Sequence, residues 1–380
     1  MLYWLQVLRG MAAILVLLFH YRVFIDGVYG QKDLGSILFG NGYMGVDVFF
    51  FVSGFIITYS TKNPKNGNPT DFVIRRFFRL VPIAWIATVT FDWSEGFVYD
   101  WHLLVNSLFF IPAKMDGPPW YGYSLLGVVW SLSYELLFYG MFAIALAISH
   151  RFRSLITGCF ICCSVFIYQW ASVGHITLNA HESTLRMPQI SGLTQIVGLL
   201  TNPLLLEFAI GMFLAEIYIY SVRVSFKPDT YLSRLAALLF FTIFLYCYFA
   251  NTPGGHGLTG KGFPALALVL SALMLEISEV SDAKKVSRGG LWFYLGTICY
   301  SLYLIHNGVT ERILWKMPIV KNYFLPNRGI PMFISCTLVS LILAALAYRY
   351  LENPFHQLGR RLAEAHAQRK SARQSPARVA

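Results

Sequence analysis

Apolar runs of about 20 residues recur along the chain and are separated by short polar segments. A helix of ~20 apolar residues crosses the ~30 Å hydrocarbon core of a bilayer, so each run is a candidate span. The pattern predicts an all-α polytopic membrane protein with about ten transmembrane helices. The predicted spans are 5–24, 42–61, 79–96, 125–148, 154–172, 200–220, 233–250, 262–279, 291–312 and 331–351.

Two segments do not fit the pattern of full spans. The apolar stretch 100–112 is too short to cross a bilayer and predicts a re-entrant or interfacial helix. The last segment is polar, basic and rich in small residues, and we expect it to be mostly disordered, in particular beyond Leu362. The sequence therefore predicts one transmembrane domain over 1–351 and a basic cytoplasmic tail over 352–380.

Composition and charge support a membrane protein. Apolar residues make up 56% of the chain and charged residues 13%, with a mean hydropathy of +0.55. The net charge of +11 falls in loops and in the tail, which indicates membrane topology rather than nucleic-acid binding. Of the 30 Lys and Arg residues, 21 fall on the side of the N-terminus and 9 on the other. This bias predicts that both termini are cytoplasmic.

Two ionisable residues share one face of the first predicted helix. Arg9 and His20 are eleven residues apart, which at ~100° per residue is about 20° past three full turns. They are separated by roughly 16 Å of helix rise. Ionisable groups are costly against lipid, so the pair indicates a functional lining. An interfacial arginine and a histidine bonded within the bundle would explain it equally well.

Further ionisable residues are predicted at a similar depth in other spans. With both termini cytoplasmic, His20, Asp47, Glu135, Glu207 and His306 all fall in the outer half of their helices. Such groups usually face the bundle interior and pair with one another. We therefore expect one polar chamber lined by His20, Asp47, Glu135 and His306, although each could instead be an ordinary hydrogen-bonded core residue.

A basic cluster marks the predicted cytoplasmic end of the third span. Arg75, Arg76 and Arg79 lie together, and Arg76 and Arg79 share a helix face. Guanidinium groups grip phosphate through bidentate hydrogen bonds, so the cluster is a candidate anion site that Arg9 could join. Simple anchoring of the span at the inner surface is the alternative.

A phosphate-binding arginine cluster and a polar chamber that contains histidines together suit a long phosphorylated carrier with a reactive end. A histidine can deprotonate an acceptor hydroxyl or accept an acyl group itself, which indicates acyl transfer. The same residues also fit a proton-coupled transporter or flippase of an anionic or glycan-linked lipid. A nonenzymatic subunit of a membrane complex would leave the clustered ionisable residues unexplained.

Several short motifs occur in one order along nearly the whole chain. They are Leu-Arg-Gly-x-Ala-Ala at 8–13 with Phe19-His20, Gly-Val-Asp-Val-Phe-Phe-Phe-Val-Ser-Gly-Phe at 45–55, Arg-Arg-Phe-Phe-Arg-Leu-Val-Pro at 75–82, Trp-Ser-Leu-Ser-Tyr-Glu at 130–135, Glu207 with Gly211, Tyr-Ser-Leu-Tyr-Leu-Ile-His at 300–306, and Glu-Asn-Pro-Phe at 352–355. With this ordered set the chain resembles the acyltransferase-3 family of integral-membrane O-acyltransferases. It is similar to the stand-alone type that acetylates exopolysaccharides, lipopolysaccharide O-antigens and Nod factors.

The resemblance implies roles for named residues. His20 matches the histidine regarded as catalytic, and Glu135 matches the acidic position of the tryptophan motif. Arg9 matches the arginine that precedes this histidine in the first helix, and Arg76 and Arg79 match the basic motif expected to bind the acyl-CoA donor. We expect Arg9 to join them in the acyl-CoA site. From the residues themselves we add Asp47 as a catalytic candidate. The candidate chamber lining is completed by His306, Tyr300, Glu207 and Trp130.

The resemblance also implies an activity. We expect an acyl group, above all acetyl, to move from cytoplasmic acyl-CoA to a hydroxyl of a cell-surface glycan or its lipid-linked precursor. Acetyl-CoA would be the co-substrate, no metal is expected, and the location would be the bacterial cytoplasmic (inner) membrane. Ser53-Gly54 lacks the Gly-x-Ser-x-Gly frame of a serine nucleophile, so we expect this pair to serve helix packing.

Overall fold

Helices account for nearly all regular structure in this protein. The computed structural model describes residues 2–64, 67–112, 122–181, 192–224, 229–250, 254–279, 290–318, 322 and 328–374. No β-strand forms within these ranges, where an isolated bridge joins Asn179 and Gly257. The α-helices are α1 (Tyr3–Tyr21), α2 (Leu34–Phe39), α3 (Gly45–Ser60), α4 (Pro69–Glu95), α5 (Trp101–Leu108), α6 (Trp130–Ile148), α7 (Arg153–Val173), α8 (Gly192–Leu200), α9 (Leu205–Arg223), α10 (Thr230–Phe249), α11 (Gly262–Glu279), α12 (Leu291–Ile305), α13 (Val309–Lys316), α14 (Ile330–Ala347) and α15 (Asn353–Gln374).

Helices cover every one of the ten predicted spans, but not all of them meet the criteria for crossing a membrane. In the described part of the chain, seven helical segments are long and apolar enough to do so. They are Tyr3–Phe24, Leu34–Ser60, Gly127–Ile148, Arg153–Ala171, Leu205–Arg223, Thr230–Phe249 and Ile330–Lys370. Gly262–Ser278 and Leu291–Ile305 are apolar but shorter. The count of ten spans and their orientation stay predictions.

Glycines allow α3 and α9 to approach each other at backbone distance. A Cβ added to Gly54 would lie 2.2 Å from the backbone oxygen of Phe208, and one added to Gly211 would lie 2.1 Å from that of Phe51. In a bilayer the hydrophobic effect does not drive helices together, so they associate through close packing, which small residues at the interface allow. The predicted packing role of the Ser53-Gly54 pair is confirmed at Gly54.

Close contacts at glycines also join α1 to α12. A Cβ on Gly296 would lie 1.9 Å from the backbone oxygen of Gln6, and one on Gly10 would lie 2.7 Å from the backbone nitrogen of Gly296. Ten residues further along each helix, His20 contacts His306. The two helices therefore run side by side in the same direction, and the register set by the glycines brings the two histidines together.

The predicted span 291–312 is interrupted rather than continuous. α12 ends at Ile305, and α13 begins only at Val309. Gly308, between them, has φ of +83°, a left-handed conformation that glycine adopts at low cost. The break leaves His306 at the end of α12.

The C-terminal segment also differs from the prediction, which was disorder beyond Leu362. A π-helical turn, Tyr348–Glu352, links α14 to α15, and α15 continues to Gln374. α15 packs on α4, where a Cβ on Gly359 would lie 2.5 Å from Cβ of Phe78. This contact supplies the tertiary packing that most helices need to be stable, and polar composition alone does not reveal it. Residues 375–380 lie outside the described ranges.

Candidate active site

A cavity of about 340 Å³, which we name the histidine chamber, lies where α1, α3 and α6 meet the 254–261 loop. His20 and Trp130 line it, together with Tyr43, Tyr123 and His256. Burial raises the pKa of Tyr123 to about 12, so its hydroxyl stays protonated and can donate a hydrogen bond. The chamber thus presents imidazole, phenol and indole groups in an otherwise apolar wall.

The imidazole of His20 is oriented by a carbonyl and by a second histidine. Its Nδ1 lies 2.9 Å from the backbone oxygen of Val16 and 3.1 Å from Nε2 of His306. Nδ1 of His306 lies 3.0 Å from the backbone oxygen of Leu302. Carbonyls accept hydrogen bonds, so both Nδ1 atoms carry protons and Nε2 of His306 accepts. This assignment leaves a lone pair on Nε2 of His20, available as a base or nucleophile.

The ends of α1 and α12 are locked together beside this histidine pair. The buried hydroxyl of Tyr21 donates to the backbone oxygen of His306 at 2.5 Å and lies 2.6 Å from Oγ of Ser340 in α14. Three helices therefore share one hydrogen-bonded junction behind His20. Such support fixes the rotamer of a reactive side chain better than packing alone.

Asp47 is paired with a different histidine. Its Oδ2 lies 2.6 Å from Nδ1 of His256, and its Oδ1 accepts from the backbone N–H of Gly257 at 3.1 Å. The hydroxyl of Tyr43 accepts from the backbone N–H of Gly255 at 3.0 Å. Asp47 thereby holds the 254–261 loop against α3 and orients the imidazole of His256, which lines the chamber.

Glu207 lies next to Asp47 and is fully buried. Both carboxylates fall in the first turn of their helices, α3 and α9, where the helix dipole favours negative charge. A Cβ on Gly262 would lie 2.5 Å from Oε1 of Glu207 and 2.7 Å from the backbone oxygen of Gly257, so a larger residue there would force this loop to move. Burial lowers the pKa of nearby Lys261 in the loop.

The structure divides the residues of the single predicted chamber. Asp47 contacts His256, whereas the imidazole of His20 contacts Val16 and His306. Glu135 lies in a neighbouring cavity, where its carboxylate accepts hydrogen bonds from Oγ of Ser53 at 3.0 Å and from the hydroxyl of Tyr139. Of the four residues predicted to line one chamber, His306 is the one that contacts His20, whereas Asp47 and Glu135 have other partners.

The neighbouring cavity, which we name the narrow cavity, has a volume of about 60 Å³. Its polar lining includes Arg9, Arg76, Arg79, Glu135 and Tyr300. The three arginines proposed as one cluster thus do meet, although Arg9 comes from α1 and the others from α4. One carboxylate among three guanidinium groups leaves an excess of positive charge along this wall.

A third cavity, the arginine vestibule, has a volume of about 320 Å³. Arg75, Arg76 and Arg79 of α4 line it together with Arg360 and His356 of α15. Arg76 stacks near the rings of Tyr139 and Phe72, at 5.3 and 5.6 Å from their centroids. Such stacking holds a guanidinium group in place while its N–H groups remain available to an anion.

The three cavities adjoin one another. Arg76 and Arg79 line both the arginine vestibule and the narrow cavity. Val46 and Tyr303 line both the narrow cavity and the histidine chamber. The three cavities therefore lie in series from the arginine cluster to His20, with the narrow cavity in the middle, and we refer to this series as the path.

Several residues at this path were not identified from the sequence. His256 is flanked by Gly254, Gly255 and Gly257 in a loop. Loops often carry binding and catalytic residues, so a histidine in a glycine-rich loop was a sequence signal that could have identified it. Arg360 and His356 fell in the segment 352–380, which was predicted to be a basic tail and was given no role in a site. Within the described residues, no group of three or more His, Cys, Asp or Glu side chains is arranged to hold a metal ion.

Comparison with known proteins places the chain in a family. The acyltransferase domain of the acyltransferase-3 family matches residues 2–349. The exopolysaccharide production protein ExoZ of Rhizobium meliloti is 28% identical over 338 residues, which cover 84% of this chain and 91% of ExoZ. The O-acetyltransferase OatA of Staphylococcus aureus is 23% identical over 374 residues, covering 88% of this chain but only 57% of OatA. No solved structure matches. The chain belongs to the acyltransferase-3 family of acyltransferases.

Proposed function

We propose that this protein is an integral-membrane O-acyltransferase that transfers an acetyl group from acetyl-CoA to a hydroxyl of a cell-surface glycan or its lipid-linked precursor. The family supports an acyltransferase. The names of the relatives, exopolysaccharide production protein and O-acetyltransferase, support acetyl as the group and a glycan as the acceptor. Donor, acceptor, and a location in the bacterial cytoplasmic membrane are parts of the proposal.

The observation that carries the proposal is the series of three cavities, in which each cavity shares wall residues with the next. Acetyl-CoA is a long molecule with phosphates at one end and a thioester at the other. Arg9 in the narrow cavity and His20 in the histidine chamber are separated by roughly 16 Å of helix rise on α1, and the arginine vestibule is the next cavity on the side of Arg9. Phosphate binding and chemistry therefore occur at opposite ends of the path. The narrow cavity suits a slender arm, whereas a bulky head group would not pass.

The arginines hold the phosphate end on the cytoplasmic side. Arg76 and Arg79 line both the vestibule and the narrow cavity, where they neutralise the diphosphate through charge-assisted hydrogen bonds. Arg9 lies deeper, and its Nη1 donates to Oε1 of Gln6 at 3.1 Å. The pantetheine arm then extends past Glu135 and Tyr300 to the chamber.

His20 carries the transfer step. Its Nε2 takes the proton of the acceptor hydroxyl while the hydroxyl oxygen forms a bond to the thioester carbonyl carbon. The carbon–sulfur bond then breaks, and the CoA thiolate takes the proton from the imidazolium, giving an ester and free CoA. In the other order, Nε2 accepts the acetyl group first and passes it on; both routes use the same lone pair. His306 fixes the orientation of that lone pair in either case.

Transfer of radiolabelled acetyl from acetyl-CoA to a glycan-containing membrane extract, by purified protein in nanodiscs, tests the proposal. We expect His20→Ala to insert and fold but to lose about 10²–10⁴-fold in transfer rate, the usual worth of general-base assistance. His102→Ala is the matched control, because His102 is exposed and lines none of the three cavities. It should transfer at the wild-type rate.

The same assay separates an acyltransferase from a transporter. A transporter or flippase would move a labelled lipid across the bilayer without consuming acetyl-CoA. Full transfer activity in His20→Ala would refute the assigned role of His20. Absence of transfer in folded wild-type protein, together with movement of a lipid-linked glycan, would refute the proposed function.

A further inference from the structure

The C-terminal helix α15 forms one wall of the arginine vestibule. His356, Arg360 and Glu364 follow one another at intervals of four residues and so lie on one face of α15. All three line the vestibule opposite the arginines of α4. The vestibule is therefore shaped by two helices that are distant in sequence, and not by the basic cluster of α4 alone.

α15 is held in place firmly enough to form part of a binding site. Gly359, next to Arg360, lies against Phe78 of α4 at a distance that leaves no room for a Cβ. Nδ1 of His366 lies 2.7 Å from Oδ1 of the buried Asp71. At its start, buried Glu352 accepts a hydrogen bond from Oγ of Ser301 at 2.5 Å. These contacts fix both ends of the segment that carries Arg360.

The vestibule carries more positive charge than a diphosphate needs. Four guanidinium groups and one carboxylate, that of Glu364, line it. Arg76 and Arg79 also line the narrow cavity, which places them at the entrance of the path. Arg75 and Arg360 lie only on the vestibule side. Their charge suits a second phosphate group, bound farther from the chamber than the diphosphate.

We propose that Arg360, together with Arg75, binds the 3′-phosphate of the CoA nucleotide, so that α15 is a wall of the donor site. This inference rests on the proposed function. CoA has one phosphate group besides its diphosphate, attached to the ribose at the 3′ position. Arg76 and Arg79 bind the diphosphate at the entrance, and the ribose phosphate then lies on the outer side, between α4 and α15.

A concave site distinguishes this role from simple anchoring at the membrane surface. Anchoring requires basic residues near the headgroups but no cavity. The phosphate of an anionic lipid headgroup is the other source of the same chemistry. Its binding would depend on the lipid composition and would not depend on the 3′-phosphate of the nucleotide.

Binding of acetyl-CoA and of 3′-dephospho-acetyl-CoA to the full chain in phosphatidylcholine nanodiscs tests the inference. We expect the wild type to bind acetyl-CoA more tightly by about 10- to 100-fold, the worth of a hydrogen bond between charged groups. Arg360→Ala should lose most of this preference while binding the dephospho compound as the wild type does. Arg360→Lys, which keeps the charge, should retain part of it.

Arg361→Ala is the matched control, since Arg361 is exposed, adjacent in sequence and outside the vestibule lining. It should keep the wild-type preference. A wild-type preference that persists in Arg360→Ala, or a wild type that binds both compounds equally, would overturn the inference and leave the proposed function intact. Loss of the preference on changing to phosphatidylglycerol nanodiscs would assign the site to lipid. A folded wild type that binds neither compound would overturn both proposals.

Discussion

The contact between α1 and α12 offers a perturbation far from the chemistry that should nevertheless reach it. Gly296→Ala adds a methyl group at a point where its Cβ would lie 1.9 Å from the backbone oxygen of Gln6. That oxygen belongs to a helix backbone and cannot rotate away as a side chain can. The two helices must therefore separate, and the histidine pair is at the other end of the same helix pair.

The size of the displacement follows from the distances. Raising 1.9 Å to the 3.4 Å of ordinary contact requires a movement of about 1.5 Å. Overpacking of this kind costs about 1–3 kcal/mol of folding stability. Nε2 of His306 and Nδ1 of His20 are 3.1 Å apart. If only a third of the movement is transmitted, this distance reaches about 3.6 Å, which is no longer a hydrogen bond.

Acetyl transfer and thermal unfolding in nanodiscs measure the effect of Gly296→Ala. We expect a lower melting temperature and a transfer rate reduced by about 10- to 100-fold, because a misplacement of ~1 Å in a catalytic constellation costs about 100-fold and the movement expected here is about half of that. Gly140→Ala is the matched control, since nothing lies within 4 Å of the added methyl group in α6. Its stability should be unchanged or slightly higher. Wild-type transfer and stability in Gly296→Ala would refute the reasoning.

Three further results are expected. His306→Ala should reduce transfer by at least about tenfold and leave acetyl-CoA affinity unchanged, because it removes the group that orients His20 and not a donor contact; unchanged transfer kinetics would count against that role. Asp47→Asn should weaken the pair with His256 and cost about 1–3 kcal/mol, and hydrogen exchange should then rise in the 254–261 loop; a loop as protected as in the wild type would show that Asp47 does not hold it. Prolonged treatment with EDTA should leave transfer unchanged, in keeping with a reaction that needs only side chains, and activity restored by an added divalent ion would contradict this.

The parts of the site that local geometry determines could be predicted from the sequence. Arg9 and His20 share a face of α1 because helical periodicity fixes their relative direction, and they line the narrow cavity and the histidine chamber, respectively. Gly54 was expected to serve packing, since a small residue in a membrane helix has few other uses. The helices themselves follow from the apolar runs.

Contacts between distant segments could not be predicted in the same way. Asp47 and His256 are 209 residues apart, and no spacing rule connects a helix start to a loop. Glu135 falls at a depth similar to that of His20, but the rotation of α6 turns its carboxylate toward Ser53 and Tyr139. Predicted depth in the membrane therefore selected residues that line the cavities or pair inside the bundle, and did not indicate which of them meet.

The helix α15, found where a disordered tail was predicted, was missed for a similar reason. α15 is polar, and its composition alone predicts a solvated segment. What stabilises it is the close approach of Gly359 to Phe78 and the pair between His366 and Asp71, both made with α4. A single glycine at an interface is not distinguishable in sequence from a glycine in a flexible tail.

The central claim is that one path connects the phosphate-binding arginines to His20. A cryo-electron microscopy structure of the protein in nanodiscs, with a saturating thioether analogue of acetyl-CoA, tests it most directly. We predict density for the phosphates against Arg76 and Arg79, density for the arm through the narrow cavity, and the acyl end in the histidine chamber beside His20. Analogue bound outside this path, or bound with its acyl end away from the chamber, would contradict the account.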